Sequence, residues 1–535
     1  MKFRCLVLSV LLLSACSGRQ AAVPPPMMGW SSWNAFMTDI SDTLIMRQAD
    51  RMVSSGLSAA GYQYVNIDDG HFGWRDSRGR MTANPIRFPG GMPRVTRHIH
   101  ALGLKAGIYS DGGCNTCGSI HNGDSYGVGA GLFGHDAEDA DLYFNEWGFD
   151  YIKIDYCGGH RSGLDPKERY LRIRQVIDSV ARHPVRVNVC LGRFPGTWVA
   201  EAGNSWRVGR DIFTAWKHVA YEMGKNLYLS AYAGNGRYND MDMLVVGYAD
   251  RHSPLPEGDG YIPFCEEEAH FGLWCIMASP LMLGCDLACL PENTRKLVTN
   301  PELIAVNQDP LGLQAHVVLH RAGTYVLAKD VRVRHGRRQA VALYNPTDEA
   351  AGFDVPAALL GYPGKMHVRD LLHRKNLGRM EAIRMTVPPH GARILSVRGR
   401  GRQDACVYEA EWGYIPAFND IGRGGARYVK SGEASCGAVV RGLGGSGDNC
   451  LCWRDVWQRK GGDRILELHY RAEAPCSLTL LVNGVAQELE LPATEGFGSV
   501  SARIRLARGD NEISLGNENE TVPADIDAIR IVAVR

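Results

Sequence analysis

Short apolar runs recur along the first part of the chain, and longer stretches with helical periodicity separate them. The short runs have the pattern of buried strands, whereas the longer stretches repeat apolar residues every three or four positions. The strand-like runs are residues 64–68, 104–109, 151–155, 186–190 and 205–209, and helical periodicity covers residues 43–55 and 165–181. Alternating strands and helices predict a parallel sheet with crossover helices. Because such barrels take about 250 residues, we expect an α/β (β/α)₈ TIM barrel over residues 24–312.

Strand-like runs without helical spacers follow the predicted barrel. Residues 313–398 contain short β-branched runs divided by turn signals such as Asn345-Pro346, and predict a small antiparallel β-domain. Residues 405–535 alternate apolar and polar positions over longer runs, which favours a C-terminal β-sandwich. Three domains agree with the 535-residue length, because a single core rarely extends beyond about 250–300 residues.

The N-terminus has the pattern of an export signal. Basic residues precede an apolar run from Leu6 to Leu13, which is followed by Ser14-Ala15-Cys16. The run is shorter than the roughly 20 apolar residues that cross a bilayer. We therefore expect a signal peptide over residues 1–23 and an exported protein. Leu-Ser-Ala-Cys resembles a bacterial lipobox, which favours a lipid anchor at Cys16 in the cell envelope over an ordinary cleaved signal of a periplasmic or secreted protein.

Charge and cysteine spacing exclude several classes of protein. The chain has 59 Lys and Arg against 58 Asp and Glu, a net charge of +1, so no nucleic-acid or polyanion partner is expected. Its 15 cysteines form no zinc motif, because Cys114 and Cys117 have no second pair at a suitable distance. The oligomeric state is not indicated by the sequence.

Acidic residues stand at or just after the ends of several predicted barrel strands. In a parallel barrel, functional groups lie at these C-terminal strand ends. A single acid there often only caps the next helix, but a set of them favours chemistry. The acids are Asp68, Asp69, Asp111, Asp155, Asp211 and Asp242. Two carboxylates at one mouth suit glycosidic cleavage, in which one attacks the anomeric carbon and the other protonates the leaving oxygen.

Asp155 is the strongest candidate for the attacking carboxylate. The period of two in a strand places Lys153 and Asp155 on the same face. A nearby ammonium favours the ionised form of a carboxylate, as a nucleophile requires. The flanking Ile152 and Ile154 indicate an internal strand rather than a surface ion pair.

The motifs resemble glycoside hydrolase family 27, the α-galactosidase family. The resemblance extends over residues 25–398 and includes the run Lys153-Ile-Asp-Tyr-Cys157. The matching segments are residues 28–34, 61–69, 103–111, 148–157, 205–207, 239–244, 278–281 and 307–309. It implies a retaining exo-α-galactosidase that needs no cofactor for catalysis and acts on a carbohydrate substrate.

The resemblance also implies roles for individual residues. Asp155 matches the nucleophile and Asp211 the acid/base, while Cys117 and Cys157 match a disulfide pair. The implied substrate-binding residues are Trp33, Asp68, Asp69, Tyr109, Lys153, Cys190, Arg193, Arg207 and Asp242.

One departure from the family concerns the 2-position of the sugar. The family carries Glu or Ser after the cysteine that matches Cys190, but this chain has Leu191, with Arg193 close behind. Galactose is favoured because Asp69 is retained. The alternatives are an α-N-acetylgalactosaminidase, a β-L-arabinopyranosidase or an isomaltodextranase-like enzyme of the same family, and, outside enzymes, an inactive carbohydrate-binding protein.

The C-terminal region resembles carbohydrate-binding modules of families 6 and 35. The matching pieces are Tyr408-Glu-Ala-Glu411 and residues 509–515 and 523–529. This resemblance implies that Glu409, Glu411 and Asp527 hold a structural calcium, an ion that prefers oxygen ligands. Trp453 and Trp457 are candidate stacking surfaces for a sugar, although a structural sandwich that binds no sugar is the alternative.

Overall fold

The computed structural model describes residues 23–248, 260–421 and 425–534. The predicted signal peptide and the predicted lipid anchor at Cys16 lie outside the described residues. Within the described ranges, every helix is too short or too polar to cross a membrane.

Eight parallel strands form the first region. They are β1 Met28–Ser31, β2 Tyr64–Ile67, β3 Lys105–Asp111, β4 Tyr151–Asp155, β5 Arg186–Val189, β6 Ser205–Arg207, β7 Tyr238–Asp240 and β8 Leu281–Leu283. Neighbouring strands follow chain order from β1 to β7, and β8 pairs with the free side of β1. These strands are buried along almost their whole length because the interior buries one face and the helices bury the other.

The chain just after β7 closes this sheet into a barrel. Leu244 pairs in parallel with Leu283 of β8, and its N–H donates to the Met282 carbonyl at 2.7 Å. The Gly284 N–H donates back to the Leu244 carbonyl at 3.2 Å. The predicted (β/α)₈ barrel is therefore confirmed.

Helices connect and cover the strands. The α-helices are α1 Trp33–Phe36, α2 Asp42–Ser54, α3 Leu57–Ala60, α4 Met92–Ala101, α5 Cys117–His121, α6 Asp136–Ala140, α7 Cys157–Arg161, α8 Pro166–Val180, α9 Val199–Ala202, α10 Trp216–Asn226, α11 Phe264–Ile276, α12 Glu292–Val298 and α13 Pro301–Asn307. A π-helical segment spans Asp141–Glu146, and 3₁₀ turns span Ser125–Gly127, Ser230–Tyr232, Leu287–Cys289 and Ala410–Trp412.

Antiparallel strands form the second region. They are β9 His316–Arg321, β10 Thr324–Asp330, β11 Arg337–Asn345, β12 Ala351–Pro356, β13 Met366–Asp370, β14 Lys375–Met380, β15 Ala382–Val387 and β16 Gly391–Gly399. Six of them form a sheet in the order β14-β13-β16-β11-β10-β9, and β12 pairs separately with β15. Helix α11 of the barrel packs against β16, so the two regions share a buried interface.

Two further sheets form the C-terminal sandwich. Its strands are β17 Val407–Glu409, β18 Arg427–Lys430, β19 Ala438–Arg441, β20 Leu451–Trp453, β21 Gly462–Ala472, β22 Cys476–Val482, β23 Val485–Leu491, β24 Gly498–Leu506, β25 Ile513–Gly516 and β26 Ala524–Ala533. One sheet has the order β18-β19-β26-β21-β24 with β17 on β26, and the other has the order β20-β25-β22-β23. The predicted β-sandwich is confirmed.

An aromatic cluster joins the sandwich to the barrel. The ring centroid of Phe418 lies 5.3 Å from that of Phe194 and 5.2 Å from that of Tyr232. The Tyr232 hydroxyl lies 2.8 Å from that of Tyr428 and accepts from the Ile415 N–H at 3.1 Å. Because Phe194 belongs to the loop that follows β5, the sandwich anchors one loop at the mouth of the barrel.

Candidate active site

A pocket of about 230 Å³ opens at the C-terminal ends of the barrel strands. It brings together most of the residues that the sequence predicted for the site. The predicted residues in its wall are Trp33, Asp68, Asp69, Tyr109, Lys153, Asp155, Arg207, Asp211 and Asp242, with the cysteines Cys117 and Cys157.

Asp68 and Lys153 form an ion pair on the pocket floor. The Lys153 ammonium lies 3.1 Å from Asp68 Oδ2, and the Ser31 hydroxyl donates to the same oxygen at 3.2 Å. Burial works to lower the pKa of Lys153, but the surrounding negative groups, Asp68 first, raise it well above its usual value. The ammonium therefore stays charged and fixes the orientation of Asp68.

Asp69 is held by backbone donors. Gly70 N–H donates to one carboxylate oxygen at 2.8 Å and Gly118 N–H to the other at 2.7 Å. Burial nevertheless raises the pKa of Asp69 to about 7. Because backbone groups fix both oxygens, the remaining lone pairs of Asp69 are presented to the pocket in one orientation.

Asp155 ends β4 and is partly exposed to the pocket. Burial raises the pKa of Asp155, and Lys153 acts against this rise. Asp211 and Asp68 raise it further, whereas Arg207 lowers it. The Lys153 ammonium was predicted to be the partner of Asp155, but it donates its hydrogen bond to Asp68. Lys153 therefore only moderates the effect of burial on the pKa of Asp155.

Arg207 links the two acids on the far side of the pocket. Its guanidinium lies 3.3 Å from Asp211 Oδ1 and 3.0 Å from Asp242 Oδ2. The Arg207 side chain is only 2% exposed, whereas that of Asp211 is 69% exposed. Asp211 can therefore reach a leaving group at the pocket rim while the buried cation holds it in place.

Asp242 follows β7 in a strained backbone conformation. Its φ is +71°, a region that non-glycine residues rarely adopt. Its carboxylate accepts from the Ile212 N–H at 2.8 Å, and its own N–H donates to Asp240 Oδ1 at 2.9 Å. Burial raises the pKa of Asp242 to about 6, although Arg207 opposes this rise. These bonds tie the loop that carries Asp211 to the end of β7.

Among the described residues, Cys190 and Arg193 are not part of the pocket wall, although both were predicted to bind substrate. The Cys190 thiol is buried behind Arg207, at 3.6 Å from its guanidinium. Arg193 is exposed, because the chain turns at Gly192, whose φ is +69°, and buries Phe194 instead. A role of these two residues in substrate binding stays a prediction.

The predicted disulfide Cys117–Cys157 is present, with Cα atoms 5.3 Å apart. It joins the starts of α5 and α7 beside Asp155. Asp111, another acid at a strand end, does not face the pocket. Its carboxylate accepts from the N–H groups of Gly113 at 2.6 Å and Gly158 at 3.1 Å, so it organises the two loops instead.

Several pocket residues were missed by the sequence analysis. They are Asn34, Met37, His121, Asn122, Ile212, Phe213 and Met243. Most of them directly follow or lie within a few residues of a predicted group, as Met243 follows Asp242. Adjacency to a predicted group was therefore the available signal, but the loop side chains themselves form no chemical pattern.

The predicted calcium ligands lie together in the sandwich. The Ser435 hydroxyl lies within hydrogen-bond distance of both Glu409 and Asp527. In the part of the chain that the structure describes, neither oxygen of the buried Glu411 has a hydrogen-bond partner. Burial raises the pKa of Glu409 to about 7. These hard oxygen donors suit calcium. Among the described residues, however, only Asp111 and the two disulfide sulfurs place three ligand atoms within 4.8 Å of one another.

A barrel that presents two acids to one pocket at its C-terminal face has the architecture of a glycoside hydrolase. Residues 25–309 match the family described as Alpha galactosidase A, and residues 324–397 match the Alpha galactosidase C-terminal β-sandwich domain. The chain belongs to the α-galactosidase family of glycoside hydrolases, family 27.

Individual relatives agree with this assignment. The chain is 33% identical over 422 residues to Alpha-galactosidase A of Cellvibrio japonicus, covering 74% of this chain and 98% of that protein. It is 35% identical over 384 residues to Alpha-galactosidase 2 of Arabidopsis thaliana, covering 70% and 90%. The crystal structure of α-galactosidase I from Mortierella vinacea matches with a TM-score of 0.62 and 28% identity, covering 72% of this chain and 100% of that chain. The predicted family is confirmed, and the resemblance of the sandwich to carbohydrate-binding modules stays a prediction.

Proposed function

We propose that this glycoside hydrolase releases terminal α-D-galactosyl residues with retention of configuration, Asp155 being the nucleophile and Asp211 the acid/base. The observation that carries the proposal is the placement of both carboxylates in one pocket, with Asp211 bonded to the buried Arg207. The family membership of the chain supports the same substrate class.

The reaction proceeds in two displacements. In the first, Asp155 attacks the anomeric carbon and forms a glycosyl ester, while Asp211 gives its proton to the departing oxygen. In the second, Asp211 takes a proton from water, and the resulting hydroxide equivalent attacks the same carbon and releases Asp155. The proton taken from water restores the acid form of Asp211, so the enzyme is regenerated and the product is α-galactose.

The floor of the pocket supports recognition of one sugar ring. Asp68 and Asp69 present ordered carboxylate oxygens that accept hydrogen bonds from sugar hydroxyls, and Lys153 supplies a donor beside them. Trp33 and Tyr109 supply aromatic surface in the same wall. A pocket of about 230 Å³ is small for a ligand site, which supports action on chain ends.

Proton NMR of the first product tests the stereochemistry. We expect α-galactose to appear before mutarotation, and initial β-galactose would contradict the retaining mechanism. Asp155→Asn should lower turnover by about a thousandfold or more. Residual activity within tenfold of the wild type would exclude Asp155 as the nucleophile.

The 2-position is tested with a panel of four nitrophenyl glycosides. These are the α-galactoside, the α-N-acetylgalactosaminide, the β-L-arabinopyranoside and the α-glucoside. The position that contacts the 2-substituent in the family corresponds to Leu191, which is buried and outside the pocket wall described above. Asp69, which favours galactose, lies in that wall. We expect the highest kcat/KM for the α-galactoside, and a higher value for another member of the panel would reassign the substrate.

We also propose that the sandwich holds a structural calcium at Glu409, Glu411 and Asp527. The buried, unpartnered carboxylate of Glu411 supports this proposal, because a buried carboxylate without a partner is costly. Adding calcium to chelator-treated protein should raise the melting temperature, and Glu411→Gln should abolish this rise. An unchanged melting temperature in the wild type would rule out the ion.

Export and lipid attachment at Cys16 are proposed from the N-terminal motif alone. Metabolic labelling with a lipid precursor should label the wild type and leave a Cys16→Ala variant unlabelled. Equal labelling, or none in either protein, would contradict the anchor.

A further inference from the structure

A second cavity, of about 280 Å³, lies where the barrel, the β-domain and the sandwich meet. It shares no lining residue with the pocket at the barrel mouth. All three regions contribute to its wall, which includes Ser230, Gln314, Lys329, Gln339, Trp412 and Trp453. Because its walls come from distant parts of the chain, the cavity exists only in the assembled molecule.

Lys329 places a buried ammonium in this wall. The residue is 2% exposed. The one hydrogen bond of its ammonium to another described residue is a long contact of 3.5 Å to the Cys275 carbonyl. Within the described part of the chain, the ammonium forms no ion pair within 4 Å, although the negative charge of Asp309 acts on it from farther away and opposes the effect of burial on its pKa. Burial lowers the pKa of Lys329 to about 8, so the amine is still mostly protonated at neutral pH. A buried charge without a close counter-ion is unfavourable, and an anion in the cavity would supply one.

The neighbouring charges compensate Lys329 only in part, because Asp309 acts on it without an ion pair and accepts from the N–H groups of Leu311 and Arg332. Arg337 and Asp330 neutralise each other through a contact of 3.0 Å, and Arg337 also donates to the Leu360 carbonyl at 2.8 Å. Burial lowers the pKa of His316 to about 4, so this imidazole is neutral. The other charged residues of the wall are Arg402, Arg454 and Asp455, so the cations of the lining, Lys329 among them, outnumber its acids.

Polar and aromatic groups complete the lining. The side-chain oxygen of Gln339 is buried and has no hydrogen-bond partner among the described residues, which leaves an acceptor for a hydroxyl. The indole N–H of Trp412 donates to the Val317 carbonyl at 2.6 Å, and that of Trp453 donates to the Glu409 carbonyl at 2.8 Å. Because both N–H groups are engaged outside the cavity, the two tryptophans contribute apolar ring surface to it.

We propose that the junction cavity binds one acidic sugar ring, a hexuronate, with its carboxylate on Lys329. Gln339 accepts from a ring hydroxyl, and the apolar side of the ring packs against Trp412 and Trp453. The cavity lies at the lower end of the roughly 300–1,000 Å³ range of ligand sites, so it holds a single ring rather than a chain. The site does not depend on the assignment of Asp155 and Asp211.

Calorimetric titration of the full chain with methyl β-D-glucuronide tests the proposal. Methyl β-D-glucoside and acetate serve as the two comparison ligands, the first without the carboxylate and the second without the ring. We expect one glucuronide per chain, bound at least about tenfold more tightly than either comparison ligand. Absence of glucuronide binding, or equal binding of the glucoside or of acetate, would overturn the proposal.

Variants locate the site. Lys329→Met and Gln339→Leu should each weaken glucuronide binding about tenfold without changing the hydrolysis of nitrophenyl α-galactoside. Lys365→Met is the matched control, because Lys365 belongs to the same β-domain but is 54% exposed and paired with Glu381. Melting temperatures show whether each variant is folded, and Gln339→Leu retains the test if Lys329→Met does not fold. Unchanged affinity in a folded Lys329→Met or Gln339→Leu protein would overturn the proposal.

Discussion

Individual buried carboxylates in this protein differ in how they are compensated. Glu222 lies in α10 behind the loop of Asp211 and is fully buried. Neither of its oxygens has a hydrogen-bond partner within the described ranges. Its carboxyl group packs against Gly209. A Cβ atom at position 209 would lie 2.1 Å from a carboxyl oxygen of Glu222. Burial raises the pKa of Glu222 to about 9, against a smaller opposing effect of Arg207. Glu222 is therefore protonated at neutral pH.

Glu222→Met should stabilise the protein. Removing an unsatisfied buried polar group gains about 1–3 kcal/mol in the free energy of unfolding. The folded-state pKa lies above the unfolded value of about 4.3, so the native state retains a proton that the unfolded state loses. The wild type therefore loses stability as pH rises from about 4 to about 9. Urea unfolding at pH 5 and pH 9 should show a larger advantage of the variant at pH 9.

Glu267→Met is the matched control for this prediction. Glu267 is also a buried helical glutamate, but it accepts from the Gly247 N–H and the Thr294 hydroxyl, each at 2.6 Å. Its removal leaves both donors unsatisfied and should destabilise the protein. A loss of stability in Glu222→Met similar to that in Glu267→Met would contradict the account of Glu222.

At the scale of elements, the contact between the sandwich and the barrel positions a loop of the site. Phe418 stacks on Phe194, which ends the stretch from Cys190 that follows β5. Phe418→Ala should cost about 3–5 kcal/mol and increase hydrogen exchange in residues 190–194. Leu478→Ala removes an equally buried sandwich side chain away from this contact, and should leave exchange in the loop unchanged. Equal exchange in the two variants would contradict the anchoring role.

Much of the element order was predictable from the sequence. The run 151–155 coincides with β4, and helical periodicity over 165–181 corresponds to Pro166–Val180. Local apolar periodicity carries that information because each element buries its own face. A barrel was predicted, but the residues that close it were not, because Leu244 pairs with Leu283 through an isolated contact after the end of β7. The outward orientation of Arg193 was not predictable either. It depends on the positive φ of Gly192 and on Phe418 of the sandwich, which packs on the neighbouring Phe194.

At the scale of the whole molecule, the sandwich is part of one packed structure rather than a tethered module. Its Tyr414 and Phe418 rings lie within 5.2 Å of Tyr232 in the barrel, and Trp412 donates to the β-domain at Val317. A chain that ends at residue 398 should therefore melt at a lower temperature and bind more of a hydrophobic dye. An unchanged melting temperature would indicate an independent module.

The covalent intermediate is the most direct test of the central claim that Asp155 is the nucleophile. A fluorinated, activated α-galactoside that turns over slowly should accumulate as an ester on the enzyme. Mass spectrometry of the digested protein should then find one added glycosyl group, on Asp155, and none after the Asp155→Asn substitution. A label on another carboxylate, or turnover without any labelled intermediate, would contradict the account.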